Sequence, residues 1–408
     1  MVLGKLWIIA YRDLGRNRRR SFFSLLAVGL GLALLIVLNG FISGMLESAL
    51  ENSIRLETGH LQLRADSYQS EKVSLQWQDL LENPEALAEQ ASAMGEVQAA
   101  APVLWSSAIL TTRDESVGSR LFGIDVTSSL YDPIREAMVA GGFLAADDRR
   151  GILIGKRLAD DLGLGVGDNV NLAIVNSDGE GDEVAFAIRG LFTTGVYGYD
   201  NGAIFMPLSK AQAFTRTDGH ASAIVVLLQG QDQANQVAAA LQGPGIQTLT
   251  WEKLNEVFLQ TVETGLQFYI ILYGIVILIV AVIIANTLLM AVFERIQELG
   301  ILAALGMKGR QIMLMFFLEA AMLGVMGVIV GILLGSAGVA YLAQNGIPLG
   351  EMAAVTEGIA IGSTMNARFN PSGMVSLSVW TFLITLLAAL YPAWYAARLQ
   401  PVEALHSL

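Results

Sequence analysis

The chain has 408 residues, 53% hydrophobic and only 15% charged, with a mean hydropathy of +0.53, whereas soluble domains carry roughly 25% charged residues. There is no cysteine, which excludes disulfides, thiolate metal sites and a cysteine nucleophile. The net charge of −12 is uneven: Glu47 to Thr264 holds 14 Lys/Arg against 30 Asp/Glu, and the remainder 11 against 7, so the acidic middle is a poor match for nucleic acid.

In chain order, Leu3, Leu6, Trp7, Ala10 and Leu14 share one helical stripe. Residues 1–20 are therefore expected as an interfacial amphipathic helix on the cytoplasmic side, ending in the basic run Arg16-Asn17-Arg18-Arg19-Arg20. Residues 21–46 are uncharged and, at 26 residues, exceed the ~20 that span hydrocarbon. That run is too long for a signal-peptide core of ~7–15 residues, and no small-x-small cleavage site ends it. It is expected as transmembrane helix 1, with the amino terminus cytoplasmic by the positive-inside rule.

Residues 47–263 are then an extracytoplasmic domain of mixed α/β type. Strands are predicted over Gly59–Ala65, Ser107–Thr112, Arg120–Ile124, Gly151–Ile154, Asn169–Val175, Glu183–Leu191, Ala203–Met206 and Ala223–Leu228. Helices are predicted over Pro84–Met94 and Asp232–Leu241. The pattern suggests a mixed α/β outer part made from both ends of the segment, with a β-rich insert of about 120–220.

Residues 264–293 carry no charge and form the predicted transmembrane helix 2. Residues 294–310 follow, reading ERIQELGILAALGMKGR. Glu294 and Glu298 lie one turn apart, and Ile296, Leu299 and Ala303 form an apolar stripe. Gly306 and Gly309 loosen the helix, and Lys308 and Arg310 add positive charge. This is a short amphipathic helix at the cytoplasmic surface, longer than a connector requires.

Transmembrane helix 3 is predicted at 311–343, interrupted only by Glu319, with Gly324, Gly327, Gly331 and Gly335 as a helix-packing stripe. An extracytoplasmic loop (344–373), transmembrane helix 4 (374–397) and a cytoplasmic tail (398–408) complete the chain. Ten of the eleven basic residues outside the acidic domain then face the cytoplasm, Arg368 being the exception.

No chemistry emerges from the titratable residues. Gly151-Ile-Leu-Ile-Gly155-Lys156-Arg157 has three residues where a phosphate-binding loop needs four, and lacks its Ser/Thr. His60, His220 and His406 are far apart, and the adjacent pairs Asp147-Asp148, Asp160-Asp161 and Asp182-Glu183 read as solvated faces and turns. Gly163 to Asn169 reads as a turn into a strand. Glu319, about two turns into a span, is expected near the interface or bonded to a neighbouring helix. No catalytic, cofactor or metal site is assigned.

Glu294-Arg295, Glu298 through Gly306, Ile312 and Phe317-x-Glu319-Ala320 resemble the FtsX-like permease family of ABC transporters, which includes lipoprotein-releasing and macrolide-exporter types. Ala10-Tyr-Arg12-Asp13-Leu14, Arg16 through Arg20, Pro392-Ala393, Ala396-Ala397-Arg398 and Pro401 through Leu405 fit it too. The resemblance implies a type VII ABC permease-like layout: four transmembrane helices, with a large mixed α/β extracytoplasmic (periplasmic) domain between helices 1 and 2. It implies a pair of permease subunits, identical or related, in the cell inner membrane, above a dimer of separate ATPase subunits that hold ATP and Mg. Glu294, Arg295, Glu298, Leu299, Gly300, Leu302, Leu305 and Gly306 would couple to that ATPase, which drives the periplasmic domains by mechanotransmission. Lipoprotein or amphiphile cargo and a periplasmic receiver or adaptor are expected partners. The alternative is a non-transporting signal transducer that regulates a cell-wall hydrolase.

Overall fold

The computed structural model describes residues 7–10, 12, 15–16, 18–69, 72–350 and 360–398. The chain divides into two units: residues 1–46, 262–347 and 365–408, and residues 47–261 with 348–364.

The first unit is helical. We number its helices α1 (Arg18–Ser53), α2 (Glu256–Glu294), α3 (Ile296–Ala304), α4 (Gly309–Asn345) and α5 (Pro371–Ala397). All but α3 are long and apolar enough to cross a membrane. Two run beyond the expected spans: α1 continues past Leu46, and α2 begins before Thr264. Asn370 starts α5 by accepting the Gly373 amide at 3.0 Å. Within the expected interfacial segment, Trp7 and Ile8 are exposed while Ala10 is buried with Met322 and Leu323. Most of the 398–408 tail and part of the 344–373 loop lie outside the described residues.

The α4 glycines let other helices approach its backbone. A Cβ at Gly327 would sit 2.6 Å from Val28, one at Gly331 2.8 Å from Leu32, and one at Gly335 2.8 Å from Ile36, all on α1. Gly324 instead faces Phe382 and Thr385 of α5, at 3.1 and 3.2 Å. Small residues therefore place ridges of α1 directly on the α4 backbone.

The second unit is built on a ten-stranded sheet ordered β12-β1-β11-β3-β4-β9-β6-β8-β5, with β7 joining β3 to β8. Its strands are β1 (Leu61–Ala65), β3 (Val97–Thr111), β4 (Ser116–Ile124), β5 (Met138–Gly141), β6 (Gly151–Gly155), β7 (Asn169–Val175), β8 (Gly181–Phe192), β9 (Ala203–Pro207), β11 (Ala223–Leu228) and β12 (Ile246–Thr250); β2 (Leu81–Glu82) and β10 (His220–Ala221) pair separately. The pairings β3-β4-β9-β6-β8-β7-β3 close a six-stranded barrel. Leu104, Leu110, Leu121, Ile152, Ile154, Leu172, Phe186 and Ile188 pack together in one buried cluster.

β3 belongs to both parts of this unit. Its first half pairs with β11 up to Val103, and its second half pairs with β4 and, from Ala108, with β7. The strand-rich portion therefore starts inside β3, upstream of the expected limit near 120. It has no separate sheet of its own, because one 15-residue strand continues from one layer into the other. Helices Pro84–Ser92 and Ala234–Leu241 belong to the outer layer, burying Ala88, Ala91, Val237 and Leu241 with Leu61, Leu63, Ile224 and Val226.

The alternation in β1 suggests that Gln62 and Arg64 face water. Both are buried, at 1% and 6% exposure. Gln62 Nε2 donates to the Thr58 carbonyl at 2.9 Å, and its Oε1 accepts from Arg64 Nε at 2.9 Å. The Arg64 guanidinium lies 5.2 Å from the Tyr68 ring centroid and 5.0 Å from that of Trp105. Burial pushes the Arg64 pKa down, against the opposing pull of Tyr68 and Glu57.

Candidate functional site

The α2–α4 junction is the best candidate because it combines charge, exposed apolar surface and a firm base. α2 stops at Glu294, and Arg295 breaks the helix at φ −116° with its side chain buried. α3 then runs for nine residues. Gly306, at φ +94°, ends the turn that follows, a conformation costly for any residue with a Cβ. Leu305 and Met307 amides close it on the Ile301 and Leu302 carbonyls, each at 3.0 Å. α4 restarts with the Lys308 amide donating to Gln311 Oε1 at 2.9 Å.

α3 is held from behind. Leu299 is 2% exposed and packs with Ala291, Val292, Ile312, Met315, Phe316, Ala393 and Ala396. Gly300 is buried and Leu302 half-buried. The outer surface carries Glu294, Glu298, Ile301, Leu305 and Gly306, with Leu305 80% exposed. The predicted set thus splits in two. Leu299, Gly300 and Arg295 seat the helix, while Ile301, absent from the predicted set, joins Leu305 as apolar surface open to a partner.

Glu319 finds a partner on α1. Arg20 Nη2 reaches Glu319 Oε1 at 3.0 Å while Nη1 reaches Glu294 Oε2 at 3.1 Å. Glu319 is 1% exposed. One turn before Arg20, Arg16 Nη2 donates to both Glu298 oxygens, at 2.8 and 2.7 Å. Sequence reasoning places Arg16 and Arg20 in a topogenic basic cluster that also fits the family pattern, without assigning either a partner. The signal available was spacing: Arg16/Arg20 and Glu294/Glu298 both repeat at i,i+4, on segments expected on the same side of the membrane.

The other sequence candidates have structural explanations. Lys156 pairs with Asp160 at the start of a short helix. Asp168 accepts the Gly165 amide at 2.8 Å within the predicted turn, and Asp148 accepts the Gly151 amide at 3.0 Å. His60 Nδ1 accepts the Leu228 amide at 2.9 Å, and burial lowers its pKa. His220 lies edge-on to Trp77; His406 is outside the described residues. The described residues contain no grouping of His, Asp and Glu suited to a metal ion. An open groove of about 940 Å³ has Ile109, Gly118, Ala173 and Val175 in its lining, with the paired Arg120 and Glu57.

Four membrane helices, a large mixed α/β domain between the first two, and a short surface helix between the second and third define an ABC-transporter permease of the type VII kind. The chain belongs to the family with a MacB-like periplasmic core domain, matched over residues 21–243, and carries an FtsX-like permease C-terminal domain over residues 270–401. It is 25% identical to the lipoprotein-releasing system transmembrane protein LolC of Neisseria meningitidis serogroup B, covering 97% of this chain and 98% of that protein. To the LolE protein of Haemophilus influenzae it is 23% identical over 94% of each chain. It is also 24% identical to the probable syringafactin export ATP-binding/permease protein SyfD of Pseudomonas syringae pv. tomato, covering 97% of this chain and 58% of that one.

Proposed function

We propose that this chain is a permease subunit that converts ATP hydrolysis by a separate ATPase into movement of its periplasmic domain, extracting lipoproteins or similar amphiphiles from the membrane. It sits in the cell inner membrane with both termini cytoplasmic, beside a second permease and above an ATPase dimer. The carrying observation is α3, a short helix seated on a packed base through Leu299 with Ile301 and Leu305 turned outward. An apolar ridge flanked by carboxylates suits a groove on a partner protein. The cargo class is supported by the end-to-end similarity to proteins named for lipoprotein release. The open groove on the domain has room for an apolar chain.

The test is a gentle-detergent pull-down from native membranes, with mass spectrometry of bound proteins and lipids. Recovery of an ATPase, a permease and acylated proteins supports the proposal. An ATPase with a cell-wall hydrolase and no cargo replaces it with signal transduction, and no ATPase at all removes its basis.

A further inference from the structure

α3 is covalently continuous only with α2 and α4, yet its Glu298 is also tied to Arg16, two residues before α1 begins. Arg16 and Arg20 stand one turn apart, and Glu294 and Glu298 carry the matching spacing across the α2–α3 break. Arg16 and Glu298 form the outer rung, each side chain 53% exposed. Arg20 forms the inner rung at 15% exposure, forking to Glu294 on one side and to the buried Glu319 of α4 on the other. Its planar guanidinium fixes both directions at once, which a lysine ammonium does not. The rungs differ in strength because water competes for the outer pair and scarcely reaches the inner one.

We propose that Arg16 and Arg20 form a two-rung clamp that transmits displacement of the α3 segment to α1, with Arg20 as the positioning residue at its fixed end. The proposal rests on the coupling role given to α3 above. When α3 is pushed, the Arg16–Glu298 rung passes the displacement to the foot of α1, while the Arg20 fork keeps α1, α2 and α4 in register. α1 thereby becomes a driven helix rather than a passive anchor.

The experiment uses the full permease–ATPase complex in nanodiscs, and reads release of a fluorescent triacylated lipopeptide per ATP hydrolysed. The double variant Arg20→Gln/Glu319→Gln removes both charges of the inner pair together and is expected to retain the ATPase. Its release per ATP should fall about tenfold. Arg20→Lys should fall between this variant and the native protein. Arg16→Glu should lower release several-fold, and the swap Arg16→Glu/Glu298→Arg should recover it. In the permease alone, hydrogen exchange over Ile296–Ala304 should quicken in Arg16→Glu and slow again in the swap. Native release per ATP in the double variant, loss of its ATPase, or a swap no better than Arg16→Glu each overturns the clamp. A native complex that binds no ATPase fails the coupling reading instead, which separates the two.

Discussion

Two arginines in this protein each gather several carboxylates, and they do different work. Arg20 holds Glu294 and Glu319, with Glu319 buried between helices that cross the membrane. Arg216, at φ +57° after helix Leu208–Thr215, holds Asp178, Glu180 and Asp182 at 3.1, 2.8 and 3.2 Å, with most of these groups open to water. The hydrogen bonds that Arg216 donates to Asp178 and Glu180, then the charge of Asp182, raise its pKa, yet the guanidinium is protonated with or without them. Counting carboxylates would rank Arg216 higher. Burial reverses that order, because an exposed charge has water as an alternative partner and a buried one does not.

The largest effect should come from Glu319→Ala, which leaves the inward arm of Arg20 without its carboxylate. A loss of about 3–5 kcal/mol is expected, read as a lowered thermal midpoint of the purified chain in detergent. Arg20→Met/Glu319→Leu should regain much of it, since an apolar pair removes the desolvation cost. A native midpoint for Glu319→Ala would erase the contrast between the two arginines.

His60 lies between the extremes. Its folded pKa is below the ordinary 6.5 through burial, so the unfolded chain binds a proton first as pH falls. Its contribution is complete above about 6.5 and lost below it, with a slope of at most ~1.4 kcal/mol per pH unit. The protection factor of the Leu228 amide, corrected for the pH dependence of intrinsic exchange, should fall over that range, and His60→Asn should flatten the response. Equal acid sensitivity in both proteins would assign the slope to other groups.

The smallest effect belongs to Arg216→Ala, for which no measurable shift of the midpoint is expected. A drop comparable to that of Glu319→Ala would show that exposure is the wrong criterion.

Much of this was legible in the residues. Three uncharged runs and a fourth broken only by Glu319 marked the four spans, and short apolar runs bounded by turn signals marked strands such as Asn169–Val175 and Ala223–Leu228 with the same limits in the structure. The glycine spacing in α4 announced a packing face, though only the coordinates show that Gly324 turns to α5 while the next three meet α1. Three features were hidden for physical reasons. Barrel closure depends on β3 changing partners from β11 to β7, and a local pattern carries no record of which strand lies alongside. Gln62 and Arg64 look solvated because their burial is made possible by Thr58, Tyr68 and Trp105, none of which alters the alternation of β1. The link between Arg20 and Glu319 spans 299 positions, so only topology brings them to the same depth.

β3 carries a mechanical consequence. Ladder hydrogen bonds lie across the strands, so a tug along β3 loads its rungs in shear, all together rather than one after another. Sheets resist shear far better than peeling. A load applied at the β11 end of this strand would therefore be shared by the β3–β4 ladder as a whole, because one continuous strand joins the two parts of the domain.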